Sequence, residues 1–272
     1  MTPEAFRDAF ALGLEGLAGL PLGVARPRYD RLCQAFAPPL PAGMIVEDGT
    51  IGGVAVRRLR PPGARPGEVA YVHGGGWTLG SVTSHQGIAA SLAAHLKREV
   101  VSVDYRLAPE ASYADALADC RSVIRALAPR AAVGDSAGGR LVMDVSHTLG
   151  APGVLGLIYP LVGRPDPASL GPDAPLLSRA EVLTLWAEVA ETMPSVPEAA
   201  PPGRQLEVLA VAQDPLTAPL ERALGRWRRF GCDIGYRCVP GLWHGALHAH
   251  ARLPAMQEAW QVFCAALTDR LA

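Results

Sequence analysis

The sequence lacks several features that mark common classes of protein. Its formal net charge is only -1, so electrostatics give no reason to expect nucleic acid or a membrane surface as a partner. No stretch reaches the roughly 18 uninterrupted apolar residues of a membrane span. Glu4, Arg7 and Asp8 occupy the region where a secretory signal has a basic segment before an apolar run. We therefore expect neither a membrane span nor a secretory signal.

Cysteine pairs with the spacing of a metal or redox site are also missing. The cysteines are odd in number and scattered, without a C-x-x-C or a Cys/His pattern, and they are Cys33, Cys120, Cys232, Cys238 and Cys264. This usage is typical of reduced structural thiols, so we expect a cytoplasmic protein without a metal site.

Apolar residues, by contrast, are abundant. They make up 49% of the 272 residues, against 19% charged residues. A chain of this length buries a sizeable core, and we favour one domain over two small ones. The composition indicates a globular body with an exposed apolar patch, so a homodimer stays among the expected partners.

Strand and helix patterns alternate along most of the chain. Short buried strands followed by amphipathic helices predict a mostly parallel sheet of about eight strands, with helices on both faces and right-handed crossovers. The predicted strands lie at 44–47, 54–59, 69–72, 99–103, 131–135, 154–159, 206–212 and 234–239, and the predicted helices at 84–98, 113–127, 137–149, 179–193, 217–230 and 254–271.

Two local signals refine this pattern. A turn at Asp48–Gly49 is predicted to join the first two strands into a hairpin. Ser84 is predicted to cap the helix that begins there, because a serine side chain can accept a hydrogen bond from a free amide of the first turn.

Two segments lie outside the alternation. Residues 1–41 hold two amphipathic helices, and residues 160–203 hold one helix between loops rich in proline and glycine. An excursion of this length between two core strands is longer than a plain connection. We assign both segments to a small helical cap on the single domain 1–272, although helices packed on the side of the sheet fit the patterns nearly as well.

The segment from Ala131 to Gly139 reads as a nucleophile elbow. An apolar strand ends at Gly134 and Asp135, Ser136 follows, and a helix begins at once. In this arrangement the serine takes a strained turn that exposes its hydroxyl, and Gly134 and Gly138 avoid collisions with the neighbouring strand and helix.

A second glycine-rich loop follows the strand that ends at Val72. His73 precedes three glycines and Trp77, and bare amides in such a loop are what the oxyanion of an acyl-transfer reaction requires. The following residues match neither the Gly-Lys-Ser/Thr nor the G-x-G-x-x-G pattern of a phosphate-binding loop. His73 and Gly74 are expected to support the loop, His73 by hydrogen bonding and not by reacting.

An acid and a histidine follow later strands. Asp214 and His244 come after the serine in the order Ser, Asp, His, each at the end of a predicted strand, where ligand sites of parallel sheets lie. A histidine is needed to take the serine proton, and a carboxylate is needed to fix the imidazole tautomer. The alternatives fit less well. The rival histidines lie in helices or further from the strand end, and they are His95, His147, His248 and His250. Among the acids, Glu207 lies within a strand, and Asp135 is predicted to point away from Ser136.

Five motifs in this order resemble one known family. They are His73-Gly74-Gly75-Gly76-Trp77, Tyr105 to Glu110 (YRLAPE), Gly134 to Gly139 (GDSAGG), Asp214-Pro215-Leu216 and His244-Gly245. The chain is similar, over roughly residues 69–271, to the hormone-sensitive lipase-like esterases, in their bacterial carboxylesterase and acetyl-hydrolase branch.

The resemblance implies an α/β-hydrolase fold and assigns further roles. The amides of Gly75, Gly76 and Ala137 would form the oxyanion hole, and the YRLAPE segment would brace the site without reacting. The N-terminal helices and the mid-chain insertion would form the acyl pocket. Such enzymes act on short to medium acyl esters without a metal or other cofactor.

The chain departs from the family pattern in three places. It is short between residues 160 and 206, Arg140 stands where the family often has asparagine, and Ala218 stands where it often has a second acid. The shortened insertion leaves the size and openness of the acyl pocket as the open question.

These features predict a serine carboxylic-ester hydrolase with Ser136, Asp214 and His244 as its triad and a small-molecule ester as substrate. Two alternatives stay open. An arylformamidase or amidase would use the same triad, and a non-catalytic receptor on the same fold would bind a small ligand in the pocket.

Overall fold

A computed structural model describes residues 1–150, 152–195 and 200–272 of the chain, and an eight-stranded sheet lies at its centre. The strand order is β1-β2-β4-β3-β5-β6-β7-β8. β1 pairs antiparallel with β2, and β2 pairs antiparallel with β4. The other neighbouring strands pair parallel to each other. The strands are β1 (Ile45–Ile51), β2 (Val54–Arg60), β3 (Arg65–Val72), β4 (Arg98–Val103), β5 (Ala131–Asp135), β6 (Val154–Ile158), β7 (Gln205–Gln213) and β8 (Asp233–Trp243).

Helices cover both faces of this sheet. One face carries α3 and α8, with α1 and α2 beyond them, and the other carries α4, α5 and α7. Among the described residues, no helix is long and apolar enough to cross a membrane. The helices are α1 (Pro3–Glu15), α2 (Leu22–Phe36), α3 (Gln86–Leu96), α4 (Tyr113–Leu127), α5 (Ser136–Leu149), α6 (Arg179–Val189), α7 (Thr217–Arg229) and α8 (Pro254–Arg270).

The parts of β3 and β6 next to the elbow strand, residues 69–72 and 154–158, are apolar without interruption because helices cover both sides of the sheet there. In β3, Val69 and Tyr71 belong to the core under α3 and α8, whereas Ala70 and Val72 belong to the core on the opposite face. This alternation follows from the two-residue period of a strand. All four residues have no exposed surface, so the predicted doubly covered α/β sheet is confirmed.

The two N-terminal helices are joined by aromatic contacts. The rings of Phe6, Phe10 and Phe36 lie with centroids 5.1 to 5.7 Å apart. Arg26 of α2 then reaches into the body of the molecule. It donates to the carbonyl oxygens of Thr78 and Ala108, each over 2.9 Å, and pairs with Glu110. One guanidinium thereby links α2 to the loop after β3 and to the YRLAPE segment.

The insertion between β6 and β7 is built around α6. Its first turn has a capping box, in which Ser178 accepts from the amide of Glu181 while the Glu181 carboxylate accepts from the Ser178 amide. Val182 and Val189 are buried against the core under α4 and α5. Residues 196–199 of the predicted insertion lie outside the described residues.

Two local predictions were wrong. The hairpin turns at Gly52 and Gly53, which both have positive φ, and Asp48 pairs with Arg57 across the strands. Two successive left-handed residues suit a tight hairpin, and glycine adopts that backbone more easily than aspartate does. Ser84 does not cap α3, because its hydroxyl is engaged by the Ser81 backbone and by His85 Nδ1.

The packing of α8 yields a stability prediction. Phe263 is 2% exposed and lies against β6, whereas the adjacent Val262 is 38% exposed. Phe263→Ala is expected to lower the free energy of unfolding by about 3–5 kcal/mol, because it leaves a cavity in the core. Val262→Ala is the control, with an expected change within about 1 kcal/mol. Urea unfolding followed by circular dichroism measures both, and equal effects would contradict this packing.

Candidate active site

Ser136 stands at the sharp turn between β5 and α5. Its φ of 50° is left-handed, which a side-chain-bearing residue adopts only when the surroundings hold it there. The surrounding backbone does so. A Cβ on Gly138 would lie 2.1 Å from the Val72 carbonyl oxygen, and one on Gly134 would lie 2.6 Å from the Gly138 carbonyl oxygen. Both positions therefore require glycine, as the elbow pattern predicts.

The structure brings Ser136, His244 and Asp214 together at the carboxyl ends of β5, β8 and β7. The Ser136 hydroxyl donates to His244 Nε2 over 2.9 Å, and His244 Nδ1 donates to Asp214 Oδ2 over 2.7 Å. The other carboxylate oxygen, Oδ1, accepts from the Leu216 amide over 2.8 Å. The Asp214 side chain is fully buried, so its orientation toward the imidazole is fixed on both sides.

Tyr159 completes the surroundings of His244, although no sequence motif predicts a role for it. Its ring centroid lies 4.5 Å from that of His244, and its φ of 34° is again left-handed. The Tyr159 amide donates to the Leu209 carbonyl over 2.7 Å. The aromatic ring therefore restricts how the imidazole can turn. A tyrosine at the end of a buried strand carries no sequence signal for this contact.

The glycine loop after β3 lies beside the elbow. Gly75 and Gly76 have positive φ values of 110° and 62°, and their amides make no hydrogen bond to any described residue. Gly74 differs, because its amide donates to Asp135 Oδ1 over 3.0 Å. Trp77 Nε1 donates to the Ala137 carbonyl and ties the loop to the first turn of α5, where the helix amides are free by geometry.

His73 lies within the loop and contacts its neighbours. Its Nδ1 donates to the Gly74 carbonyl over 2.8 Å, and its ring stacks on Tyr105 with centroids 4.3 Å apart. The Tyr105 hydroxyl donates to the His73 carbonyl over 2.8 Å. Burial lowers the pKa of His73 to about 3, helped by the nearby His85, so this imidazole is neutral. These contacts agree with a supporting position.

A cluster of buried polar side chains lies beneath the elbow. The sequence predicts only that Asp135 points away from Ser136, and it does not predict the partners of this carboxylate. The Asp135 carboxylate accepts from the Tyr71 hydroxyl over 2.6 Å and lies 3.4 Å from His85 Nε2. Burial alone would raise the pKa of Asp135, but the nearby imidazole of His85 and the hydrogen bond from Tyr71 lower it overall. An aspartate at the end of a wholly buried strand is the signal that such partners exist.

Two of the rival histidines and the rival acid Glu207 are engaged elsewhere. His248 is buried with its Nε2 3.6 Å from Cys33 Sγ, and His250 Nδ1 donates to the Leu247 carbonyl. Glu207 pairs with Arg270 at the far end of the sheet. Because Ser136 forms its hydrogen bond with His244, the geometry supports His244 over the other histidines.

A cavity of about 560 Å³ opens beside Ser136 and His244. Its walls are mostly apolar and come from both segments that were predicted to form a cap. The N-terminal part contributes Leu14, Leu17, Ala18 and Tyr29, and the insertion contributes Leu176, Leu177, Ala180, Glu181, Thr184 and Leu185. The volume is in the range of pockets that bind small organic molecules, roughly 300–1,000 Å³.

Comparison with known proteins places this geometry in a class. A family model described as the alpha/beta hydrolase fold matches residues 69–248. A solved structure of a hormone-sensitive lipase from a metagenome library superposes with a TM-score of 0.83 at 23% identity, covering 100% of this chain and 99% of that one. An esterase from Pyrobaculum calidifontis superposes with a TM-score of 0.78 at 25% identity, covering 92% and 94%. The chain has the α/β-hydrolase fold.

Curated relatives narrow the class. LipR of Mycobacterium tuberculosis, an acetyl-hydrolase by name, is 29% identical over 88% of this chain and 85% of its own length. The carboxylesterase NlhH of the same organism is 34% identical over 57% of this chain, and the alignment spans 56% of that protein. The chain belongs to the alpha/beta hydrolase fold family, and its motifs resemble those of the hormone-sensitive lipase-like esterases within it.

The buried neutral histidines predict how stability depends on pH. His73 and His248 both have pKa values lowered to about 3 by burial, against 6.5 for an exposed histidine. Below 6.5 the unfolded chain binds more protons than the folded one, so the free energy of unfolding falls as the pH falls toward 3. Asp135 acts in the same direction only below its unfolded pKa of 3.8.

Each of these two histidines is expected to contribute roughly 2 kcal/mol of lost stability between about pH 7 and about pH 5. His248→Gln removes one titrating group, so the drop in stability should be smaller by that amount. Urea unfolding of both proteins at the two pH values measures it. An identical drop in the variant would show that His248 does not titrate in this way.

Proposed function

We propose that the chain hydrolyses short to medium acyl esters with Ser136 as nucleophile, His244 as general base and acid, and Asp214 as the residue that orients the histidine. The 2.9 Å hydrogen bond from Ser136 Oγ to His244 Nε2 carries the proposal, with the 2.7 Å bond to Asp214 behind it. A serine hydroxyl is a weak nucleophile at neutral pH, and an acceptor at this distance can remove its proton during attack.

The reaction proceeds in two balanced halves. Ser136 Oγ attacks the ester carbonyl carbon while its proton moves to His244 Nε2. The carbon–oxygen bond to the alcohol then breaks, and the alcohol oxygen takes that proton, which leaves an acyl group on Ser136. A water molecule repeats the sequence: it gives a proton to His244 and attacks the acyl carbon, and the acid departs as Ser136 recovers the proton.

The negative charge that develops on the carbonyl oxygen needs donors that are already in place. We assign this role to the amides of Gly75, Gly76 and Ala137. The two loop amides make no other hydrogen bond to a described residue, and Ala137 lies in the first turn of α5, where the helix dipole adds to the attraction for an anion. One such donor is worth roughly 3–4 kcal/mol in the transition state.

The segments 1–41 and 160–203 would form the cap of this site. Both contribute apolar residues to the cavity beside Ser136, so both bear on which esters enter. We further propose the cytoplasm as the place of action, because all five cysteines are free thiols in the structure and a reducing compartment keeps them so.

Removal of the nucleophile tests the proposal directly. Ser136→Ala is expected to lower kcat for p-nitrophenyl acetate by a factor on the order of 10⁴ or more, because no covalent intermediate can form. Its thermal unfolding should match that of the parent chain. A fluorophosphonate probe should label the parent and not the variant, and undiminished turnover in the variant would refute the assignment.

The acid is tested separately. Asp214→Asn keeps the size of the side chain but no longer stabilises the imidazole with a proton on Nδ1, so kcat should fall by roughly 10³- to 10⁴-fold with a small change in KM. Asp233→Asn is the control, since Asp233 lies exposed at the start of β8 and pairs with Arg270. An equal loss in both variants would contradict the role of Asp214.

A further inference from the structure

Ser136 borders two adjoining apolar spaces of very different size, which also share Leu177 and Leu185 as lining residues. One is the cavity of about 560 Å³, and the other is a pocket of about 30 Å³ on the side of Trp77 and Ala137. Gly76 and Ser136 line both, so a scissile ester bond held at Ser136 can extend into each of them. The two ends of the substrate therefore have spaces of unequal capacity.

We propose that the small pocket receives the acyl group and the large cavity receives the alcohol, so that the enzyme selects acetyl or propionyl esters of bulky apolar alcohols. This inference rests on the proposed function, since it assigns subsites to the same serine. It narrows the acyl range to its short end and moves the main recognition of substrate to the leaving group.

The position of His244 determines which of the two spaces receives the alcohol. In the proposed reaction this histidine gives its proton to the leaving alcohol oxygen, so the alcohol has to lie on its side of Ser136. His244 and Gly245 line the large cavity, and neither lines the small pocket. The amides assigned to the carbonyl oxygen lie where the two spaces meet, because Gly75 lines the large cavity, Ala137 lines the small pocket and Gly76 lines both.

The small pocket limits the acyl chain by volume. About 30 Å³ is two to three times the roughly 10–15 Å³ that holds a single water molecule, which leaves room for one or two carbon atoms. Four of its wall residues are tightly packed hydrophobic side chains: Trp77 and Leu216 are each 2% exposed, Val182 is 3% exposed and Leu161 is 6% exposed. The wall residues Leu177 and Leu185, on the side of the large cavity, are half-buried. A longer chain would have to displace them, and overpacking of a dense core is costly.

One wall of this pocket is α6, and a buried arginine holds it in place. Arg140 donates to the Gly163 carbonyl over 2.9 Å at the beginning of the insertion, and its guanidinium lies 5.6 Å from the ring centre of Trp186 in α6. Asp144 pairs with Arg140 over 2.9 Å and accepts from the Tyr113 hydroxyl over 2.7 Å. Because both charges are buried and paired, this wall is fixed to α5 and does not yield easily.

The large cavity suits an apolar alcohol of one or two rings. Leu14 and Leu17 of the N-terminal segment, Leu79 after the glycine loop and Leu176 of the insertion supply hydrophobic wall. Thr78 and Glu181 are polar groups among the lining residues. A volume of this size with few polar groups binds ligands mainly through buried apolar area.

Two ester series on the parent enzyme test the assignment without any substitution. In the first, the alcohol is p-nitrophenol and the acid is acetic, propionic, butyric or hexanoic acid. In the second, the acid is acetic and the alcohol is ethanol, benzyl alcohol or 2-naphthylmethanol, which are leaving groups of similar acidity. We expect kcat/KM to fall by about 100-fold or more from acetate to hexanoate and to rise by about tenfold or more from the ethyl to the naphthylmethyl ester.

A crossed pair of variants then separates the two spaces. Val182→Ala enlarges only the small pocket and should raise the butyrate-to-acetate ratio of kcat/KM by about tenfold, with the naphthylmethyl-to-ethyl ratio unchanged. Leu14→Ala alters only the large cavity and should change the naphthylmethyl-to-ethyl ratio while the butyrate-to-acetate ratio stays the same. Thermal unfolding of each variant checks that it is folded.

The outcomes distinguish this inference from the function on which it rests. Hexanoate hydrolysed as fast as acetate by the parent enzyme, or an acyl profile that responds to Leu14→Ala and not to Val182→Ala, would overturn the subsite assignment with the esterase activity intact. Failure to hydrolyse any ester of either series, together with no labelling of Ser136 by a fluorophosphonate, would overturn the proposed function itself.

Discussion

The close approach between the first turn of α5 and the carboxyl end of β3 is the contact on which the site depends. No side chain fits between Gly138 and the carbonyl oxygen of Val72, so the two backbones touch. This contact keeps Ser136 in a left-handed conformation that costs of order 1–3 kcal/mol, and it places the glycine loop, which continues from β3, beside the serine. The serine and the loop amides are thus positioned together by main-chain packing, which tolerates little variation in distance.

Beneath this contact, Asp135 joins three parts of the molecule. Its carboxylate binds the hydroxyl of Tyr71 in β3, the amide of Gly74 in the glycine loop and the imidazole of His85 before α3. A buried carboxylate is costly without such partners, and losing one of them would leave an unpaired charge in the core. Asp135, which precedes the serine, therefore also holds Gly74, the first glycine of the loop. The elbow motif thus needs the aspartate before Ser136 for this contact and Gly138 after it for the close approach to β3.

Most of the sheet, and the meeting of Ser136, Asp214 and His244 at one edge of it, could be predicted because each signal is local. A buried strand shows as an apolar run, and a polar residue directly after it marks the edge where the loops of a parallel sheet meet. The signals failed where a residue depends on distant neighbours. Asp48 looks like a turn residue until Arg57 is known to lie opposite it, and Tyr159 has no pattern that announces its contact with His244. The pattern of α6 predicts a helix, but only the fold shows that its Leu185 lies against Gly76.

Arg26 gives the N-terminal helices a second connection to the candidate site around Ser136, apart from the cavity wall that they supply. Its three partners lie in the loop after β3 and in the YRLAPE segment, whose Tyr105 supports His73 from below. Arg26 therefore connects the helices at the entrance of the site directly to the backbone that holds the glycine loop. In recombination of related esterases, a crossover point between α2 and β1 would separate Arg26 from its partners, so chimaeras that exchange this segment need to inherit residues 78–110 from the same parent.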